Sequence, residues 1–334
     1  MQQARWTSDG IELVEVAPGP LPSDWVRLRV LANGICGTDL HLFRRELPPL
    51  EGSSPGHEMV GVPLDGPREL AEGLYAVEPK TWCHVCAFCT SGDHHLCSSG
   101  RVIGIQEPGG LADFVDVPRY SLHRVDTSVP PLVASLAEPL AVCVRAVHLA
   151  RLDASSRVLV LGAGSIGLLA GLLARDRAER VAITARYPHQ SEAARQLGLQ
   201  PLDESGVAAW AHEFGPDVVI ETVGGVADTL AQSILLCRPG GRVIVLGVFA
   251  GERSLNVVAL MAKELSVIGS NTYGMGQRGS EFGAAVDLLP RYRHELEPLQ
   301  THQFKLMALH DAFKCALDKT SGAIKVTVIP DPPH

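Results

Sequence analysis

RVLVLGAGSIGLLAGLLA, residues 157–174, decides the architecture. Residues 158–161 are uniformly apolar and read as a buried strand. Gly162, Gly164 and Gly167 follow in the spacing G-x-G-x-x-G, and an apolar helix over 168–174 comes next. The glycines alone would be a weak signal. With a strand before and a helix after, they fit a dinucleotide pyrophosphate, which needs a tight turn, close backbone approach and a helix N-terminus with unpaired N–H groups. Ser165 and Ile166, inside the fingerprint, share that site. Residues 158–174 are also the longest uncharged run, but they are too short for a bilayer and are broken by four glycines, Gly171 included.

Working outward, apolar strands over 158–161, 181–184, 217–221 and 242–246 alternate with helical stretches such as 135–150, and 267–271 extends the series. This βαβ rhythm predicts a doubly wound parallel sheet. Before it, residues 11–35 read as short strands, with Val26, Leu28 and Val30 on one face, and GGLADFVDVP (109–118) as another. A helix over 281–289 and the strand-like AIKVTVIP (323–330) close the chain. No internal repeat or low-complexity tract occurs. The fold class expected is α/β, with a β-rich domain beside the nucleotide-type one.

The 334 residues, 46% hydrophobic and 20% charged, suit two globular domains. Lys+Arg 29 against Asp+Glu 37 leaves a formal charge of -8, which repels phosphate backbones and anionic lipid, so neither nucleic acid nor membrane is an expected partner. The opening MQQARWTSDG lacks the apolar core of a leader, and a cytoplasmic location is expected.

Cys83, Cys86, Cys89 and Cys97 stand in the spacing C-x2-C-x2-C-x7-C. One loop with these spacings can wrap four thiolates around a tetrahedral zinc, leaving no corner for water, so the site reads as structural. An iron–sulfur cluster and a pair of disulfides are the rival readings.

Cys36 in GICGTDLH and the pair His57–Glu58 in PGHEMVG are each weak signals. Taken with the cysteine lobe and the dinucleotide fingerprint downstream, their order resembles the zinc-dependent alcohol dehydrogenases of the medium-chain dehydrogenase/reductase superfamily, nearly end to end. That family has a GroES-like catalytic domain and a Rossmann domain. The resemblance implies a catalytic zinc held by Cys36 and His57, with Glu58 and Glu138 (in AEPLAV, as in the sorbitol/polyol branch) both able to approach it and left unranked. Cys143 reads as a buried helix residue. It further implies a proton relay through Thr38 and His41. Asp39 is expected either to hydrogen-bond His57 or to cap the helix.

For the cofactor, the strand over 181–184 would end in an acid if NAD were preferred, the carboxylate holding the ribose hydroxyls. Here Thr184 is followed by Ala185 and Arg186. A small residue and a guanidinium accommodate a 2′-phosphate, predicting NADP(H). By resemblance, Val223 and Gly224, Gly247 and Val248 line the nicotinamide, and Lys325 lies near the pyrophosphate. The chain is shorter than the family between Glu58 and Cys83, where a strand pair is trimmed. Phe43, Pro79 and Lys80 are candidate pocket contacts, with the core as the other reading for Phe43 and a solvated position for Lys80.

The expected domains are 1–125 with 273–334, catalytic, and 126–272, Rossmann. The expected activity is hydride transfer between NADP(H) and a small alcohol, polyol, aldehyde or ketone, with two zinc ions per chain and a homodimer or homotetramer as the assembly. A zinc-free enone or quinone reductase of the same superfamily, and a non-catalytic NADP(H)-binding protein, are the alternatives.

Overall fold

A computed structural model describes every residue except 9, 49, 67–69, 71, 277–278 and 331–334. The chain divides into two compact units, Met1–Glu138 with Gln277–His334, and Pro139–Gly276. The first boundary lies beyond the expected 125/126 for a clear reason. Arg293 donates to the Ser128 carbonyl and Gln300 to the Leu132 carbonyl, tying the intervening segment to the first unit.

In the first unit, β1 (Gln2–Thr7) and β2 (Gly10–Glu15) form an antiparallel hairpin. The remaining strands up to the second unit are β3 (Trp25–Gly34), β4 (Glu58–Asp65), β5 (Tyr75–Val77), β6 (Phe114–Pro118) and β7 (Leu122–Arg124). With the C-terminal strands His302–Lys305 and Val326–Ile329 they make one sheet, in which β3 pairs with β4, β6 and Val326–Ile329. The alternation of β3 buries Val26, Leu28, Val30 and Ala32 on one face, as the period of two requires. The trimmed region keeps its strand pair in short form, with Val60 opposite Ala76 and Gly61 opposite Tyr75.

Four helices matter here: α1 (Gly37–Phe43), α2 (Ala87–Thr90), α3 (Pro131–Ala134) and α4 (Ala137–Ala150). Phe43, open from sequence between a pocket contact and the core, stacks on Phe313 at 5.0 Å and packs against the core that holds Trp6.

The second unit is a six-stranded, wholly parallel sheet of β8 (Arg157–Leu161), β9 (Arg180–Thr184), β10 (Gln200–Leu202), β11 (Val218–Glu221), β12 (Arg242–Val245) and β13 (Ser266–Gly269). The order β10-β9-β8-β11-β12-β13 reverses direction between β8 and β11. That is the switch point at which doubly wound sheets bind dinucleotides, and the glycine fingerprint opens from the end of β8 into α5 (Ser165–Arg175). A further helix, α6 (Pro188–Gln196), follows β9. Among the described residues, no helix is long and apolar enough to cross a membrane.

Candidate functional site

The register of β3 on β4 explains how residues far apart in sequence meet. Gly34 at the end of β3 faces Glu58 at the start of β4. Two residues past Gly34 comes Cys36, and one before Glu58 comes His57. The ligand atoms of Cys36, His57 and Glu58 all lie within 4.8 Å of one another. Gly34 leaves room for that approach, since a Cβ there would sit 2.1 Å from Glu58 Oε2 and 2.6 Å from Lys325 Cε and would push both side chains aside.

Cys36 is the N-cap of α1, and Asp39 at the third helical position returns a carboxylate to the Cys36 N–H at 2.9 Å. Of the two roles expected for Asp39, the cap is therefore made. The His57 contact is a close approach rather than a hydrogen bond, Nδ1 to Oδ1 being 3.8 Å. Both atoms are buried without hydrogen-bond partners.

Burial pushes the Asp39 carboxyl up. Burial would push the His57 ring down, but the neighbouring Cys36 and Asp39 outweigh it and hold the ring well above the ordinary histidine value. Glu138, in the first turn of α4, is buried outside the group of three. Burial and the Glu58 and Asp39 carboxylates push it up to about 7, against the pull of His57 and Lys325. Cys36, Asp39, Glu58 and Glu138 thus crowd a space in which Lys325 and His57 are the cationic neighbours they feel among the described residues. Such an excess of anionic donors, soft and hard together, fits a divalent zinc.

Lys325 lies against Glu58. Its ammonium contacts Glu58, donates to the Ile35 carbonyl at 3.1 Å and is 1% exposed. The role the structure gives it is to neutralise Glu58. Thr38 and His41 lie three apart on α1 and so share one of its faces.

In the cysteine lobe, the sulfur separations are 3.9 Å (Cys83–Cys89), 3.5 Å (Cys86–Cys89) and 3.8 Å (Cys86–Cys97). A zinc tetrahedron with bonds of ~2.3 Å has an edge of ~3.8 Å. Disulfides would need sulfurs at ~2.05 Å, and all four cysteines are free. An iron–sulfur cluster spreads its thiolates over several irons and would set them farther apart. Backbone N–H groups of Val85 and Cys86 bring the Cys83 thiol down to about 6, while burial pushes Cys89 up to about 12.

In the second unit, Gly162 adopts φ 100 and donates its N–H to Thr184 Oγ1 at 2.7 Å. Gly164 is the N-cap of α5 with no side-chain cap bond, and Ser165, Ile166 and Gly167 form the first turn. The N–H groups of that turn therefore remain available to an anion. A Cβ on Gly167 would lie 1.8 Å from the Gly162 carbonyl, which is why only glycine serves there. β9 ends without an acid: Ala185 is buried, and Arg186 follows it, exposed. Gln190 Oε1 accepts the N–H groups of Arg186 and Tyr187.

Val223 and Val248 are about half-exposed at the strand ends, and Gly224 and Gly247 let the two loops approach closely, the Gly225 N–H reaching the Val248 carbonyl at 2.7 Å. The sequence reading missed what holds them. Glu221, fully buried, accepts the N–H groups of Val223 and Gly224 and the Thr229 hydroxyl. A lone acid ending an apolar strand was the available signal. Cys143 is buried, its thiol on the Ile166 carbonyl at 3.3 Å.

Both units match family models: residues 22–127 the alcohol dehydrogenase GroES-like domain, and residues 165–291 the zinc-binding dehydrogenase. The chain belongs to the zinc-dependent medium-chain dehydrogenase family, with a GroES-like and a Rossmann domain, and is an oxidoreductase by that kinship. Its relatives include a sorbitol dehydrogenase of Halalkalibacterium halodurans, 30% identical over 95% of each chain. An L-threonine 3-dehydrogenase of Pyrococcus abyssi is 31% identical over 89% of this chain and 88% of that one. Among solved structures, a Sinorhizobium meliloti protein described as a zinc-binding dehydrogenase, bound to NADP, aligns with TM-score 0.86 and 30% identity over 98% of this chain and 99% of that one.

Proposed function

We propose that the chain is a zinc-dependent enzyme transferring a hydride reversibly between NADP(H) and the carbinol or carbonyl carbon of a small alcohol, polyol, aldehyde or ketone. The observation that carries this reading is the convergence of Cys36, His57 and Glu58 within 4.8 Å, at the head of a helix that also presents Thr38 and His41. When bound, zinc supplies a Lewis acid for the substrate oxygen and NADP(H) supplies the hydride.

The chain's own residues do the rest. Cys36, His57 and Glu58 hold the ion, Glu138 stands beside them as a further carboxylate, and Asp39 faces the His57 ring. Thr38 takes the proton of the alcohol and passes it toward His41, which exchanges it with water. Gly162, Gly164, Ser165, Ile166 and Gly167 cradle the pyrophosphate, with Thr184 bracing the turn. Val223, Gly224, Gly247 and Val248 border the nicotinamide. Ala185 and Arg186 accept a 2′-phosphate, and the NADP bound to the Sinorhizobium relative supports that choice. Cys83, Cys86, Cys89 and Cys97 hold a structural zinc, making two per chain.

The test is zinc per chain by elemental analysis, followed by NADPH oxidation against ketones, aldehydes and enones. About two zinc ions with ketone or aldehyde turnover supports the reading. One zinc with enone turnover would replace it with a zinc-free reductase, and no turnover at all with a cofactor-binding protein.

A further inference from the structure

Helix α1 ends in an unusual way. The Arg45 N–H reaches the Leu42 carbonyl at 3.1 Å and the Glu46 N–H reaches the His41 carbonyl at 3.0 Å, the paired bonds of a Schellman cap. The position just past the cap normally falls to glycine because φ is positive there. Here it is Arg45, at φ 57. Its guanidinium donates to the carbonyls of Thr7 and Ser8 at 2.6 and 2.5 Å, so the hairpin of β1 and β2 holds it in place.

A Schellman cap lays the side chain two past the helix end over the residue five before it, ordinarily as an apolar contact. In this chain those two residues are Glu46 and His41, and Nδ1 lies 2.5 Å from Oε2. Arg44 Nη1 lies 3.8 Å from the other carboxylate oxygen, and Lys319 is close enough to feel the Arg44 charge. An ionised carboxylate only accepts, so the ring proton belongs on Nδ1 and the lone pair on Nε2.

We propose that Glu46 is a positioning residue for the proton relay, holding His41 in the tautomer whose Nε2 takes up the proton. This rests on the relay of Thr38 and His41 proposed above. In alcohol oxidation the neutral ring gains a proton at Nε2 while Nδ1–H stays on Glu46. The imidazolium then gives the Nε2 proton to water, and in carbonyl reduction the flow reverses. Glu46 ends each turnover as it began.

Three variants of the full-length, zinc-loaded protein test this: Glu46→Leu, Glu46→Gln and His41→Gln. Ring ¹⁵N shifts report which nitrogen carries the proton, and the His41→Gln spectrum assigns them. Leucine suits the apolar cap contact, so Glu46→Leu should keep its melting temperature and its KM for NADPH. It should nonetheless lose the Nδ1–H tautomer and about tenfold in kcat. Glutamine still accepts, so Glu46→Gln should retain the tautomer and most of kcat. If His41→Gln is slow while Glu46→Leu keeps the wild-type tautomer and kcat, the proposal falls and the relay stands. If His41→Gln turns over like wild type, the relay falls and takes the proposal with it.

Discussion

The proposed preference for NADP(H) rests on two side chains, Ala185 and Arg186. In the turn after β9, Gln190 ties down the backbone N–H of Arg186, and Ala185 stands where an acid would end the strand. A guanidinium bonded to a phosphate is a charge-assisted interaction, and losing one costs about 1.5–3 kcal/mol, or roughly 10- to 150-fold. Arg186→Ala should therefore raise KM for NADPH by that factor and leave KM for NADH nearly unchanged, as steady-state kinetics with each cofactor will show. Equal losses with both would mean that Arg186 does not meet the 2′-phosphate. Glu221 shows the other face of residue-scale chemistry. It touches no candidate reacting group, yet its carboxylate organises two loop N–H groups, and a Cβ on Gly247 would lie 2.3 Å from its second oxygen.

Two elements make sharper demands than any single side chain. The turn from β8 into α5 closes so tightly that Gly167→Ala sets a Cβ against a backbone carbonyl, which cannot swing aside as a side chain can. The turn has to open, at a cost of about 1–3 kcal/mol. Calorimetry should show both a lowered melting temperature and weaker NADPH binding, and a variant with wild-type NADPH affinity would contradict the assignment of this turn to the pyrophosphate. The cysteine lobe makes a demand on pH. Cys83, held at about 6, is already a thiolate at neutral pH, whereas Cys89, at about 12, keeps its proton until a metal displaces it. Zinc uptake therefore releases protons, and affinity must rise with pH and fall steeply as pH drops through 6. Chelator competition at pH 5.5, 7 and 8.5 measures this, and a flat profile would argue against four thiolates on one ion.

Across the whole molecule, legibility followed how local each signal was. The parallel strands β8, β9, β11 and β12 were readable because strands covered on both faces are short, contiguous apolar runs. β10 was not, since Gln200–Leu202 is three residues with a proline in the middle. The cysteine lobe was readable from spacing alone because one loop carries it. Cys36, His57 and Glu58 were not, because the register of β3 on β4 brings them together and no local pattern encodes that register. They emerged only by resemblance. The pairing of Lys325 with Glu58 and of Glu46 with His41 escaped altogether: the first depends on strands from opposite ends of the chain, the second on an arginine in a left-handed conformation that propensity would assign to glycine.

The last strand of the Rossmann sheet also bears on assembly. Among the described residues β13 pairs only with β12, at the edge of the sheet, and Val267 on it is 37% exposed. The neighbouring helix Val257–Ala262 exposes Val257, Val258 and Met261 at 64%, 70% and 70%. A parallel edge strand flanked by exposed apolar side chains is a template for pairing with another strand, and a second copy of the same edge satisfies it by two-fold symmetry. The chain should therefore be dimeric, or tetrameric, in solution. Val267→Lys, which sets like charges against each other across such an axis, should shift the protein toward monomer in sedimentation velocity while leaving NADPH binding intact. A wild-type protein that sediments as a monomer at micromolar concentration, or a variant that associates as before, would place the interface elsewhere or remove it.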